Sequence, residues 1–203
     1  KKPFVFVLGH NHPYHKGAMC YAYDAGLDIY VCDRVGPKDT EWSIQVYNRM
    51  YTSANPAIDS EKKGTYSGSK VNEIDEGYVF DLGNCQLETY RLPGHCDDML
   101  MLYDRVHGLL FSSDIYGVNR YWVADQFAAR GVKQDLLLSL QQQLMDEYAK
   151  NGGLVRELYT GHNRIGVGGD YLTVWEQCLQ KLVNYGPAAV TDDRRGDGAI
   201  LAM

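Results

Sequence analysis

The sequence predicts a layered α/β fold, and three observations carry that prediction. A short apolar run, "FVFVL" (Phe4 to Leu8), ends in a polar loop and is followed by helical spacing and a second apolar run. Short β-prone runs alternate with turn signals between Glu73 and Asp114, and two more stretches of helical spacing lie in the second half. With 203 residues, 45% of them hydrophobic, the chain has enough apolar material for one substantial core, so one domain over 1–190 with a tail at 191–203 is expected.

Taken in order, "FVFVL" has the apolar, β-rich character of a strand buried on both faces, with "GHNH" as the loop where it stops. Spacing from His15 to Ala25 predicts a helix with Gly26 at its C-terminal cap, and "LDIYVC" follows as a second strand. A helix is expected over Asp39 to Tyr51 with Thr40 as cap, then a long Ser-, Gly-, Pro- and Lys-rich loop from Ser53 to Ser69. "YVFDLG", "QLETYRL", "MLMLYD" and "GLLFSSD" form a predicted β-meander. Leu136 to Lys150 has helical spacing and ends at "NGG", "LVRELYTG" reads as a strand, and Tyr171 to Asn184 as an amphipathic helix. The tail "TDDRRGDGAILAM" reads as loose or as a docking segment.

Composition narrows the function classes. A net charge of −6 argues against nucleic acid, whose phosphates need a basic patch to displace counterions. No apolar run approaches the roughly 20 residues that cross a bilayer, and "KKPFVFVLGH" lacks the apolar stretch and cleavage site of a signal peptide. A cytoplasmic location without a membrane partner is expected. Five cysteines, odd in number and without a C-x-x-C pair, indicate buried thiols rather than disulfides or a thiolate zinc site.

The histidines are distributed unevenly. "GHNHPYHKG" places His10, His12 and His15 within six positions of a chain that has six histidines in all. Residues two apart on an extended segment face the same side, so His10 and His12 can aim at one point, with His15 approaching from the next turn. Together they can grip a cation. Other strand ends offer further ligands: His95 in "LPGHCDD", Asp114 in "LLFSSDIYG" and His162 in "LYTGHN". His107, in "DRVHG", reads as a turn residue.

In their order, "HNHPYH", "LPGH", "FSSD" and "TGHN" resemble the signature of the metallo-β-lactamase fold superfamily: H-x-H-x-D-H, a P-G-H strand end, a bridging Asp and a late G-H. The resemblance runs from about Phe4 to Leu182. It implies a four-layer αββα sandwich, two mixed sheets flanked by helices, with the first strands missing from this chain. It implies one metal on His10, His12 and His95, another on His15, His162 and the residue at position 14, and Asp114 bridging the two. Nitrogen ligands with a few carboxylates suit zinc, as one or two ions, with iron or manganese left open by the donor set. The implied activity is hydrolysis of an ester, thioester, lactone or amide-type small molecule by a metal-bound hydroxide.

One position departs from the pattern. Tyr14 stands where the family has an aspartate that ligates the second metal and anchors the attacking water. Three readings stay open: Tyr14 ligates, a carboxylate such as Asp98 substitutes, or a single ion works at the three-histidine site. In the first reading Tyr14 joins Asp114 as a catalytic residue. Asp97 and Asp98 otherwise read as carboxylates that orient the His95 ring, and Cys96 as facing away.

Tyr116, Asn119, Arg120, Tyr121 and Trp122, with Arg164, are the candidate substrate pocket, aromatic walls with cations for a carboxylate or phosphate; packing of a helix onto a sheet is the other reading of those aromatics. Two other functions stay in view. "LLFSSDIYG" resembles the bridging segment of flavodiiron oxygen reductases, which implies a diiron redox protein, although that group has a glutamate where this chain has His12. A catalytically weakened metal-binding subunit is the other. Family domains begin with strands ahead of the H-x-H strand, and nine residues precede His10 here. A second chain or a missing N-terminal segment beside Phe4 to Leu8 is therefore expected, with a homo-oligomer also open.

Overall fold

The computed structural model describes residues 4–10, 12, 15, 18–33, 71–92, 95, 98–114, 116, 120–122, 142, 146, 155–162, 164–185, 191–192 and 199–202. Two compact units divide the chain, Lys1–Asp75 and Glu76–Met203.

In the first unit β1 (Val5–Val7), α1 (Met19–Asp24), β2 (Asp28–Cys32) and β3 (Val71–Ile74) follow one another, and the strands form a parallel sheet in the order β1-β2-β3. α1 buries Met19, Ala22 and Tyr23, the i, i+3, i+4 face of an amphipathic helix. It stops where the sequence places its cap. Gly26 takes φ 75°, a left-handed conformation that glycine adopts without a Cβ penalty, while Leu27 N–H donates to Ala22 O and Gly26 N–H to Tyr23 O, the paired bonds that close a helix end.

β2 is central, with Ile29 and Val31 fully buried. β1 corrects the expectation of a strand covered on both faces. Among the described residues it pairs only with β2, which leaves it at the edge of the described sheet, and Phe4 and Val5 are 66% and 42% exposed. An apolar run reports hydrophobicity and says nothing of how many neighbours the strand acquires. The helix expected over 39–51 and the loop at 53–69 lie outside the described residues; of the helix expected over 136–150, Gln142 and Asp146 are described and are helical.

The second unit contains β4 (Val79–Asp81), β5 (Gln86–Arg91), β6 (Leu100–Asp104), β7 (Leu109–Ser113), β8 (Arg120–Trp122), β9 (Glu157–Thr160), β10 (Ile165–Gly168), α2 (Tyr171–Tyr185), β11 (Thr191–Asp192) and β12 (Ala199–Ala202). Six strands form a mixed sheet in the order β10-β9-β7-β6-β5-β4. The expected meander is present as the antiparallel run β4 to β7, with β9 added parallel to β7. Met99, Met101, Tyr103, Leu110 and Leu158 are wholly buried.

At the β6–β7 turn Asp104 Oδ1 accepts from the N–H groups of Val106 and His107, both at 3.0 Å, and Oδ2 from His107 Nδ1 at 2.6 Å. Burial pushes the Asp104 carboxyl up, but the bonds and charge of His107 and the Val106 N–H outweigh it and hold the group below its ordinary value. His107 is thus the turn residue its sequence context suggested.

α2 turns Leu172, Trp175 and Leu179 inward. Cys32 and Cys178 are buried thiols outside any disulfide, and Cys85 is half-buried. Of the expected tail, 191–192 and 199–202 are described and are strands: β12 pairs antiparallel with both β8 and β11, because "AILA" supplies a short apolar strand with a full set of backbone donors.

Candidate metal centre

Each ligand-bearing segment begins where a strand ends. In the first unit the ladder from β1 to β2 reaches Leu8, whose N–H donates to Tyr30 O at 2.9 Å, and there the chain leaves the sheet. His10 follows, only 1% exposed, with Nε2 3.1 Å from His12 Nδ1 and the two rings edge-on. His15 N–H donates to His12 O at 3.1 Å, a tight turn that brings the His15 ring to 4.3 Å from the His10 ring, centroid to centroid. The structure thus brings His10, His12 and His15 together.

The spacing of these nitrogens can be compared with what a cation needs. Two ligand atoms at 2.0–2.1 Å from a tetrahedral ion lie about 3.3 Å apart. The 3.1 Å between His10 Nε2 and His12 Nδ1 is close to that separation.

In the second unit β5 and β7 are both antiparallel to β6, and β9 is parallel to β7, so β5, β7 and β9 run the same way. Their carboxyl ends share one edge, the edge at which open α/β sheets collect ligands. His95 follows β5, Asp114 follows β7 and His162 follows β9. His162 Nε2 lies 3.1 Å and His95 Nε2 3.6 Å from the same oxygen, Asp114 Oδ2. His95 and Asp114 are buried, whereas the His162 side chain is half exposed. One buried carboxylate oxygen facing two imidazole nitrogens, at separations that bracket the ligand spacing of an ion, is a donor set that fits a divalent metal. Asp98, three residues past His95, is buried as well.

Three residues the sequence did not single out build this second set. Ser113, the last residue of β7, has φ 49°, a left-handed conformation rare for a residue with a side chain, and it turns the chain just before Asp114. Gly161 N–H donates to Ser113 O at 2.6 Å and ties the β9 end to this turn. A Cβ on Gly161 would collide with Asp114 Oδ1 and sit 3.2 Å from the Ser113 carbonyl, so glycine is required by space. Thr160 Oγ1 shares its proton between His162 O at 2.5 Å and Arg164 O at 2.7 Å. "FSSD" and "YTGH" contain these residues, but nothing in residue type alone reports a φ value or a carbonyl position.

The pocket residues fare differently. Tyr116 is wholly buried, edge-on to Trp175 of α2 with ring centroids 5.3 Å apart. Of the two readings of this aromatic, pocket wall or packing, its contact with α2 is a packing one. The Arg164 side chain is exposed, and its backbone closes the turn by donating N–H to His162 O at 3.1 Å. Arg120, Tyr121 and Trp122 lie on β8, and their side chains, like Tyr14, Asn119, Cys96 and Asp97, fall outside the described residues.

No family model matches the chain, and no curated protein matches its sequence. Solved structures do. A metallo-β-lactamase from Pontibacter korlensis superposes with a TM-score of 0.53 at 20% identity, over 87% of this chain and 68% of its own. ST1585 from Sulfolobus tokodaii, described as an archaeal metallo-β-lactamase superfamily protein, gives 0.58 at 16% identity, over 95% and 73%. Rubredoxin oxygen:oxidoreductase from Desulfovibrio gigas gives 0.50 at 17% identity, over 88% of this chain and 43% of that one. The chain therefore spans about two fifths to three quarters of the length of these proteins. Its fold is the αββα metallo-β-lactamase fold, as the motif order implies. One backbone plan serves proteins named for hydrolysis and for oxygen reduction, so the fold does not choose between them. No helix among the described residues is long and apolar enough to cross a membrane.

Proposed function

We propose that this chain is a metal-dependent hydrolase in which the two ligand sets serve one centre: His10, His12 and His95 for one ion, His15 and His162 for a second, and Asp114 shared. The observation that carries the reading is the convergence of His95 and His162 on one oxygen of a buried Asp114, each from the end of a different strand. The close approach of His10 to His12 and His15 in the first unit supports it. When bound, zinc, or iron or manganese, supplies Lewis-acid chemistry: it lowers the pKa of a coordinated water toward neutrality and polarises a carbonyl.

The chain's own contribution is orientation and charge. Asp114, buried, offers one carboxylate oxygen beside the Nε2 atoms of two imidazoles, and as a shared ligand its carboxylate would offset part of the cation's charge. The half-exposed His162 leaves one side of the set open to solvent, where an ester, thioester, lactone or amide carbonyl of a small molecule can enter. Tyr14 replaces the family aspartate, so a second ion rests on Tyr14 or on a carboxylate such as Asp98, and without either a single ion works at the three-histidine site.

Metal analysis with turnover tests the proposal. One or two zinc equivalents per chain, together with ester or lactone hydrolysis lost in His10→Ala, support it. Two irons with oxygen consumption would favour the oxygen-reducing reading, and a tightly held ion without turnover of an ester, thioester, lactone or amide would make the chain a metal-binding subunit.

A further inference from the structure

Thr160 precedes the G-H pair that places His162, and the described residues give it the position of a clamp. It is the last residue of β9, only 8% exposed, and its register partner on β7 is Ser113, the strained residue before Asp114. Two bonds leave this point in opposite directions. Gly161 N–H reaches back to Ser113 O at 2.6 Å and holds the carboxylate side; the Thr160 hydroxyl reaches forward to the carbonyls of His162 and Arg164 and holds the imidazole side. His162 O also accepts the N–H of Arg164 at 3.1 Å, so the three-residue turn is closed from both directions. The half-exposed His162 ring that this turn carries has Nε2 at 3.1 Å from Asp114 Oδ2.

A hydroxyl is the group this place needs. One rotatable O–H can be shared between two carbonyls, which a thiol does weakly and a methyl not at all. A surface imidazole otherwise samples several rotamers, and fixing the backbone beneath it removes part of that freedom. We infer that Thr160 is a positioning residue that sets the His162 imidazole for metal binding. The inference rests on His162 being a ligand.

The experiment uses cobalt(II) as probe on the full chain, measuring ion equivalents, affinity and the visible d–d spectrum, with thermal melting as a check on folding. His162→Ala reports whether His162 ligates. Thr160→Val removes the hydroxyl at nearly constant volume, and Thr160→Ser retains it. Loss of a group that orients a ligand typically weakens metal affinity by about 10–100-fold. The expected result is a loss of that size and an altered cobalt spectrum in Thr160→Val, with Thr160→Ser close to the parent. If His162→Ala weakens binding while Thr160→Val matches the parent in affinity and spectrum, the role of Thr160 is overturned and the metal centre survives. If His162→Ala leaves cobalt binding unchanged, both the ligand assignment and the clamp fall. Should Thr160→Val fail to fold, the parent protein still decides: a Thr160 hydroxyl proton slowed in exchange with water supports the clamp, and a freely exchanging one refutes it.

Discussion

Replacing Gly161 by alanine separates a demand for space from a demand for backbone freedom. The new Cβ would overlap Asp114 Oδ1 and press on the Ser113 carbonyl at 3.2 Å, two groups that cannot both retreat, since Ser113 O is bonded to Gly161 N–H itself. Overpacking of this kind costs about 1–3 kcal/mol. For a chain of this size that corresponds to a fall in Tm of roughly 2–12 °C.

The displaced carboxylate adds a second effect, because Asp114 Oδ2 is the point on which His95 and His162 converge. Metal affinity should drop by about 10-fold or more, the range seen when a ligand loses its support. Gly83→Ala is the control. Gly83 has φ 90° with nothing within 4 Å of a Cβ, so alanine there meets only the left-handed penalty of about 1–2 kcal/mol. Thermal melting and competitive metal titration on the two variants form the assay. Gly161→Ala should lose stability and metal together, and Gly83→Ala stability alone. An intact metal affinity in Gly161→Ala would refute the placement of Asp114 against the β9 end.

Other consequences follow from single groups. Asp104 has a depressed carboxyl pKa, so its contribution to stability is complete above its ordinary value of 3.8 and is lost as pH falls through the lower folded value. Asp104→Asn, which removes charge-assisted bonds to a turn, should cost about 1.5–3 kcal/mol at pH 7 and flatten the acid limb of a urea-denaturation series below pH 4. Tyr90 is pushed up to about 12 by burial and by its bond to Glu88, against the opposing influence of Arg105. Its raised pKa means that stability from the neutral phenol persists below pH 10 and fades as pH rises through 12, so a 295 nm titration should show late-titrating absorbance that Tyr90→Phe reduces by one tyrosine. Trp175, wholly buried against Tyr116, should cost about 3–5 kcal/mol when truncated to alanine, read by chemical denaturation.

Much of this was legible because the chain writes its central strands as apolar runs. β2, β5, β6, β7 and β9 fall where "LDIYVC", "QLETYRL", "MLMLYD", "GLLFSSD" and "LVRELYTG" place them, and α1 ends at Gly26. β3, "VNEI", and β10, "IGVG", are short and carry polar residues or glycines, and they are strands because a neighbour's open ladder recruits them. β8, β11 and β12 are likewise made by pairing across the chain. The site shows the same division. His10, His12 and His15 gather as their spacing suggests, and His95, Asp114 and His162 meet, because ligand chemistry is a property of residue type. Ser113, Thr160 and Gly161 were invisible, since their roles lie in a dihedral angle, a shared proton and an absent Cβ. Tyr116 had two readings for a related reason: an aromatic near a strand end serves a core as readily as a pocket.

Anomalous scattering from crystals grown with zinc tests the central proposal most directly. The account predicts an ion bonded to His10, His12 and His95 together, with Asp114 beside it and any second ion on His15 and His162. Ions confined to unrelated surface groups, with these six side chains bound to none, would contradict it.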